Sequence, residues 1–234
     1  MNSDITAATF AAYLKCLTKS YLTAHREKPL DMFAAETRDR FSVAYKTRAR
    51  QRLGSELTGA GLIDFAEMAT KPAPEATTLL VDCETALYVC DHRTAVVGSR
   101  RINRSETHSN FVPIVYSVWN KSDHCDELLV CFGALAIGQA TGSTPPPSGK
   151  VVYGENHRIR NVRIADHLPK TRRIIEAIAS FYQGAEPPLV LNKHCSACDF
   201  QLRCRDLAVE QSSAPHAGAV PAPQSPIAAM IDNR

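Results

Sequence analysis

Three cysteines in the run HCSACDFQLRC, Cys195, Cys198 and Cys204, stand at C-x2-C-x5-C spacing near the C-terminal end of a 234-residue chain. Two thiolates three positions apart can grip one ion from a single tight turn, and a third about one and a half helical turns further on can fold back onto the same centre. Zinc and cubane iron–sulfur centres both take four ligands, so three soft donors require a fourth. His194 adjoins Cys195, and neighbouring side chains seldom converge on one ion. Cys83, Cys90, Cys125 and Cys131 lie in strand-like or core-like segments, where a buried cysteine is a small hydrophobe. Cys16 stands on a predicted helix beside Lys15 and Lys19, a surround suited to an anionic thiolate centre. The expected set is Cys16, Cys195, Cys198 and Cys204. A [4Fe-4S] cluster is the leading occupant, zinc the alternative, and free thiols the third reading.

Composition bounds the rest. Hydrophobic residues make up 44% and charged ones 22%, so the chain can bury a core and wholesale disorder is excluded. No run approaches the ~18–20 apolar residues of a membrane span. The start, MNSDITAATFAAYLKC, lacks the charged-then-apolar layout of a secretory signal, so the expectation is a cytoplasmic protein with no membrane partner, whose eight cysteines are thiols or ligands rather than disulfides.

Along the chain, Phe10, Tyr13, Leu14, Leu17 and Tyr21 recur at helical steps and predict one helix from Thr6, its N-cap, to about Tyr21. A second, basic helix is expected from about Asp31 to Leu53, and a short one over Leu62 to Met68. KPAPEAT reads as a loop. TLLVDCETALYVC and TAVVGSRRINR then predict a strand–turn–strand pair, and NFVPIVYSVWN a third strand. Glu127 to Gly138 is apolar on nearly every side, as a buried helix would be. GSTPPPSG is a loop, GKVVYG and RIRNVRI are strands, and Leu168 to Tyr182 is a helix. From Ser212 onward Ala, Pro, Ser and Gly dominate. The organisation expected is one α/β (α+β) domain over residues 1–211, a mixed sheet flanked by helices, with a low-complexity tail over 212–234.

The lone N-terminal cysteine in ITAATFAAYLKC, the α/β middle and the closing PPLVLNKHCSACDFQLRCRDLA together resemble the RecB-like branch of the PD-(D/E)XK nucleases. That branch carries an iron–sulfur clasp and includes the CRISPR-associated RecB-type exonuclease. The resemblance covers about Asp4 to Gln211. It implies a restriction-endonuclease-like core and Cys16, Cys195, Cys198 and Cys204 as clasp ligands. It also implies an Asp on one strand and acid-x-Lys on the next, holding Mg²⁺ or Mn²⁺. Here the Asp position falls near Arg100 or Arg101, and Val112 to Trp119 is apolar or hydroxylic. A guanidinium repels the ion a carboxylate would hold. Asp123, Asp126 and Glu127 are the weak catalytic candidates left; Asp91 and Glu106 would have to join them. The resemblance therefore implies a nuclease fold with a degenerate site that binds neither Mg²⁺ nor Mn²⁺.

Net charge is only +3, but cations cluster locally: Arg38 to Arg52, the group Arg100 and Arg101, and a stretch with Arg158, Arg160, Arg163, Arg172 and Arg173. Phosphate backbones reward such clusters through counterion release. The function expected is nucleic-acid binding, DNA before RNA, within a DNA-processing or defence complex and with a possible protein partner. A metal-dependent exonuclease or endonuclease using displaced carboxylates is one alternative, and a protein-interaction scaffold the other. Trp119 and Tyr116 are read as core in preference to base-stacking residues. His92, His108, His124 and His157 are read as surface or core histidines with no catalytic partner.

Overall fold

A computed structural model describes residues 3–29, 32–56, 60–63, 78–82, 86–89, 111–184 and 186–213. The strands are β1 (Ser3–Thr6), β2 (Ala60–Ile63), β3 (Thr78–Asp82), β4 (Ala86–Val89), β5 (Phe111–Ser117), β6 (Ser148–Tyr153) and β7 (Arg158–Arg163). The helices are α1 (Ala7–Tyr13), α2 (Leu17–Ala24), α3 (Met32–Glu56), α4 (His124–Thr141), α5 (Ile164–Phe181) and α6 (Gln201–Ser213).

Five strands form one mixed sheet in the order β2-β3-β5-β6-β7, parallel except for the antiparallel β6–β7 pair. A parallel pair cannot be closed by a tight turn, so β5 and β6 are joined through α4. Helices cover both faces. Val115 and Val151, paired in register, face Val130, Cys131 and Ala134 of α4, while Ile114 and Val152 face Tyr45, Ala49 and Leu53 of α3. β6 passes so close to α4 that a Cβ on Gly149 would overlap the Val130 side chain. On its other side α4 packs Leu128, Phe132 and Leu135 against Phe10 of α1 and Ile175 and Ile178 of α5. Apolar on every side, α4 is buried on every side, as its sequence predicts.

Four expectations are corrected. The helix from Thr6 to Tyr21 is two helices. Thr6 caps α1, accepting from the Thr9 N–H at 3.1 Å, but the chain turns at Leu14–Cys16 before α2 begins. Ser3–Thr6, not foreseen as a strand, pairs antiparallel with β4. Leu62 and Ile63, the first two residues of the expected short helix, end strand β2, and residues 64–68 of that helix lie outside the described residues; four apolar or small residues carry too little periodicity to separate the two states. The run TLLVDCETALYVC, expected as one arm of a strand–turn–strand pair, holds two strands, β3 and β4, which belong to different sheets, with β2 and β5 on either side of β3. The run TAVVGSRRINR, the loop KPAPEAT and the tail from residue 214 lie outside the described residues.

Candidate functional site

In open sheets of this kind ligands bind beyond the carboxyl ends of the parallel strands. A cavity of about 1980 Å³ lies beyond the end of β5. Its walls come from the α1–α2 corner, the Ser117–Asp126 turn, the early turns of α5 and residues 190–205.

The four cysteines expected as ligands line this cavity, and so does half-buried Cys125, which the sequence placed in a core-like segment. Cys16 sits at the corner rather than on a helix. Its backbone is extended (φ −164°, ψ 127°), it occupies the N-cap of α2, and its side chain makes no capping bond. Cys195 opens a 3₁₀ turn over Cys195–Ala197, and the Asn192 N–H donates to its Sγ at 3.2 Å. Cys198 follows that turn, and the Gln201 N–H donates to its carbonyl as α6 starts. Cys204 is buried on α6 with Leu22 and Phe200. Burial pushes the Cys204 thiol up to about 11, with further upward pushes from Cys198, Cys16 and Cys195, so all four sulfurs lie within electrostatic reach.

Three polar contacts tie the two chain ends beside the thiols. Asn192 Nδ2 donates to the Lys15 carbonyl at 3.2 Å, Lys19 Nζ meets Asp199 Oδ2 at 3.0 Å, and Arg203 Nε meets Glu27 Oε2 at 3.3 Å. Among the described residues, the one set of three His, Cys, Asp or Glu donor atoms closing within 4.8 Å is His124, Glu127 and His167. No three of the four sulfurs, all among the described residues, lie within 4.8 Å of one another. The donors are soft, one accepts a backbone N–H, and Lys15 and Lys19 flank Cys16, a donor set whose chemistry suits zinc or an iron–sulfur centre.

The weak catalytic carboxylates are occupied. Asp123 Oδ1 accepts from the N–H groups of Cys125 (2.8 Å) and Asp126 (3.0 Å), and Asp126 Oδ2 accepts from the Asp123 N–H (3.0 Å). This reciprocal capping box satisfies donors that α4 otherwise leaves open. Burial pushes the Asp126 carboxyl upward in pKa. Glu127, 9% exposed, pairs with Arg160 through Oε1, while Oε2 lies 3.2 Å from His124 Nδ1 and 3.6 Å from His167 Nε2. Burial holds His167 below its ordinary pKa. His124, read from sequence as lacking partners, has two: Glu127 and Lys170, whose Nζ is 3.0 Å from its Nε2. His157 instead packs its ring against Tyr45.

Arg158, Arg160 and Arg163 lie exposed on β7, at the sheet edge. Arg160 is held by Glu127 and by Ser122 Oγ at 3.1 Å. Arg172 and Arg173 are exposed on α5, and Arg173 lines the cavity. Arg100, Arg101, His92 and His108 lie outside the described residues. Trp119, expected in the core, is 69% exposed on the cavity wall, whereas Tyr116 packs with the α3 face of the sheet. Sequence reasoning missed His167, which lies three positions before Lys170 of the basic stretch, on the same helical face. Cys131 keeps its expected role as a core hydrophobe, its thiol pushed up to about 11 by burial.

No protein-family model matches this chain, and no curated protein or solved structure is similar to it at a significant level.

Proposed function

We propose that the chain is a RecB-like nuclease-fold module that binds nucleic acid, DNA first, with a [4Fe-4S] cluster on Cys16, Cys195, Cys198 and Cys204 and without cleavage chemistry. The single observation that carries the reading is that thiols from opposite ends of the chain line one cavity. The cluster, when bound, supplies a cross-link between residues 16 and 195–204, which stabilises the fold by restricting the unfolded chain. The remaining cavity wall carries Lys15, Lys121, Arg173 and Lys193, suited to phosphates, and exposed Trp119, suited to stacking on a base. Asp123 and Asp126 are engaged in capping and Glu127 with Arg160, which argues against displaced carboxylates holding Mg²⁺ or Mn²⁺.

Labelled single- and double-stranded DNA, titrated across salt with and without Mn²⁺, tests this reading. The expected result is binding that weakens steeply with salt and leaves the DNA intact. Lys121→Glu with Arg173→Glu should weaken binding at least tenfold, about 1.4 kcal/mol or more, and Trp119→Ala should weaken single-strand binding by ~1–3 kcal/mol. Manganese-dependent cleavage lost in Asp123→Asn or Asp126→Asn would overturn the non-catalytic reading, and no binding at low salt would leave a protein-interaction scaffold.

A further inference from the structure

We infer that His124, Glu127 and His167 form a second, thiol-free site for a first-row transition-metal dication such as zinc. Two imidazoles and one carboxylate suit zinc and its neighbours, not magnesium, which prefers oxygen. An ion about 2.0–2.1 Å from each donor of a tetrahedral site holds the donors about 3.3–3.4 Å apart. Glu127 Oε2 lies 3.2 Å from His124 Nδ1 and 3.6 Å from His167 Nε2, on either side of that value, and all three donors fall within 4.8 Å.

The surroundings of His167 are an independent observation. At 3.6 Å its Nε2 is too far from Glu127 for a hydrogen bond, and its Nδ1 is buried without a partner. A half-buried imidazole left thus by hydrogen bonding is explained if Nε2 serves an ion. Arg160, on the other Glu127 oxygen, orients the carboxylate as outer partners of metal ligands do. His124 also lines the large cavity, so three protein ligands leave a further position for solvent or a ligand to reach.

Lys170 opposes the ion. A lysine ammonium only donates, so the Nε2 it contacts is an acceptor and the His124 proton resides on Nδ1, facing Glu127. Loading the site moves that proton from Nδ1 to Nε2 and displaces Lys170, with no change in oxidation state. Lys170 therefore sets the affinity without being a ligand.

Cobalt(II) serves as the probe, added to the full chain with its thiol centre intact. The expected result is one equivalent bound with visible ligand-field absorbance and no thiolate charge-transfer band. Chelator competition should show His124→Ala, Glu127→Gln and His167→Ala each weaken binding at least tenfold, and Lys170→Met, which keeps every ligand, tighten it about tenfold by removing a nearby positive charge. Failure of the wild type to take a thiol-free equivalent overturns the site. So does binding unchanged in the folded histidine variants, or Lys170→Met leaving the affinity unchanged or weaker.

Discussion

The thiols and the carboxylates singled out by the sequence stand in different surroundings. Cys16, Cys195, Cys198 and Cys204 line a common wall despite separations of up to most of the chain. Asp123, Asp126 and Glu127 lie close in sequence, yet they have different jobs: two close a capping box and one is held by Arg160. Thiols have few structural uses at a surface, so soft ligands at ligand spacing carry strong information. A carboxylate at a helix start has a competing use, because the first turn of any helix needs acceptors.

Substitutions that separate the thiols from the carboxylates break this comparison most directly. Cys198→Ser should cost about 2–4 kcal/mol by thermal unfolding, comparable to losing a cross-link, with loss of bound iron. Buried Cys131→Ala should cost ~1–2 kcal/mol as a core truncation and leave iron content unchanged. Asp123→Ala should cost ~1 kcal/mol through the lost cap and leave DNA binding intact; if it abolished binding instead, the carboxylates would belong to the binding site. Lys19→Met and Asp199→Asn, combined in a double-mutant cycle, should show a coupling of ~0.5–1 kcal/mol, since this pair joins the chain ends while partly screened.

The smallest effect is alkaline. Burial, with the Asp126 carboxylate second, pushes Tyr45 up to about 12, and its hydroxyl donates to the Gly154 carbonyl at 3.0 Å. The folded state thus keeps a proton that the unfolded state gives up near pH 10, so stability is full below pH 10 and falls as pH rises from there to about 12. Tyr45→Phe should flatten that slope in alkaline denaturation. A slope unchanged in the variant would assign the loss to Tyr13 and Tyr182, also raised by burial.

Much of the fold was legible because its strongest elements carry one-sided or all-round apolar patterns. β5, α4, β6, β7 and α5 stand within a few residues of their expected places. The break at Leu14–Cys16 was not, because the apolar period of Phe10, Tyr13, Leu14 and Leu17 continues through it; both helices present the same face to α5. Strand partners were less legible still, since β4 leaves its neighbour in sequence for β1, and pairing choice depends on which sheet edges are free. In the site, spacing exposed the thiols, but His124 and His167 lie 43 positions apart on two helices and meet only through the packing of α4 on α5.

Iron content per chain after anaerobic purification, read with the visible spectrum of wild type and Cys16→Ser, tests the central claim most directly. The account predicts close to four irons per wild-type chain, a broad visible absorbance, and loss of both in the variant. A colourless chain without iron, or a variant that retains its iron in full, would contradict it.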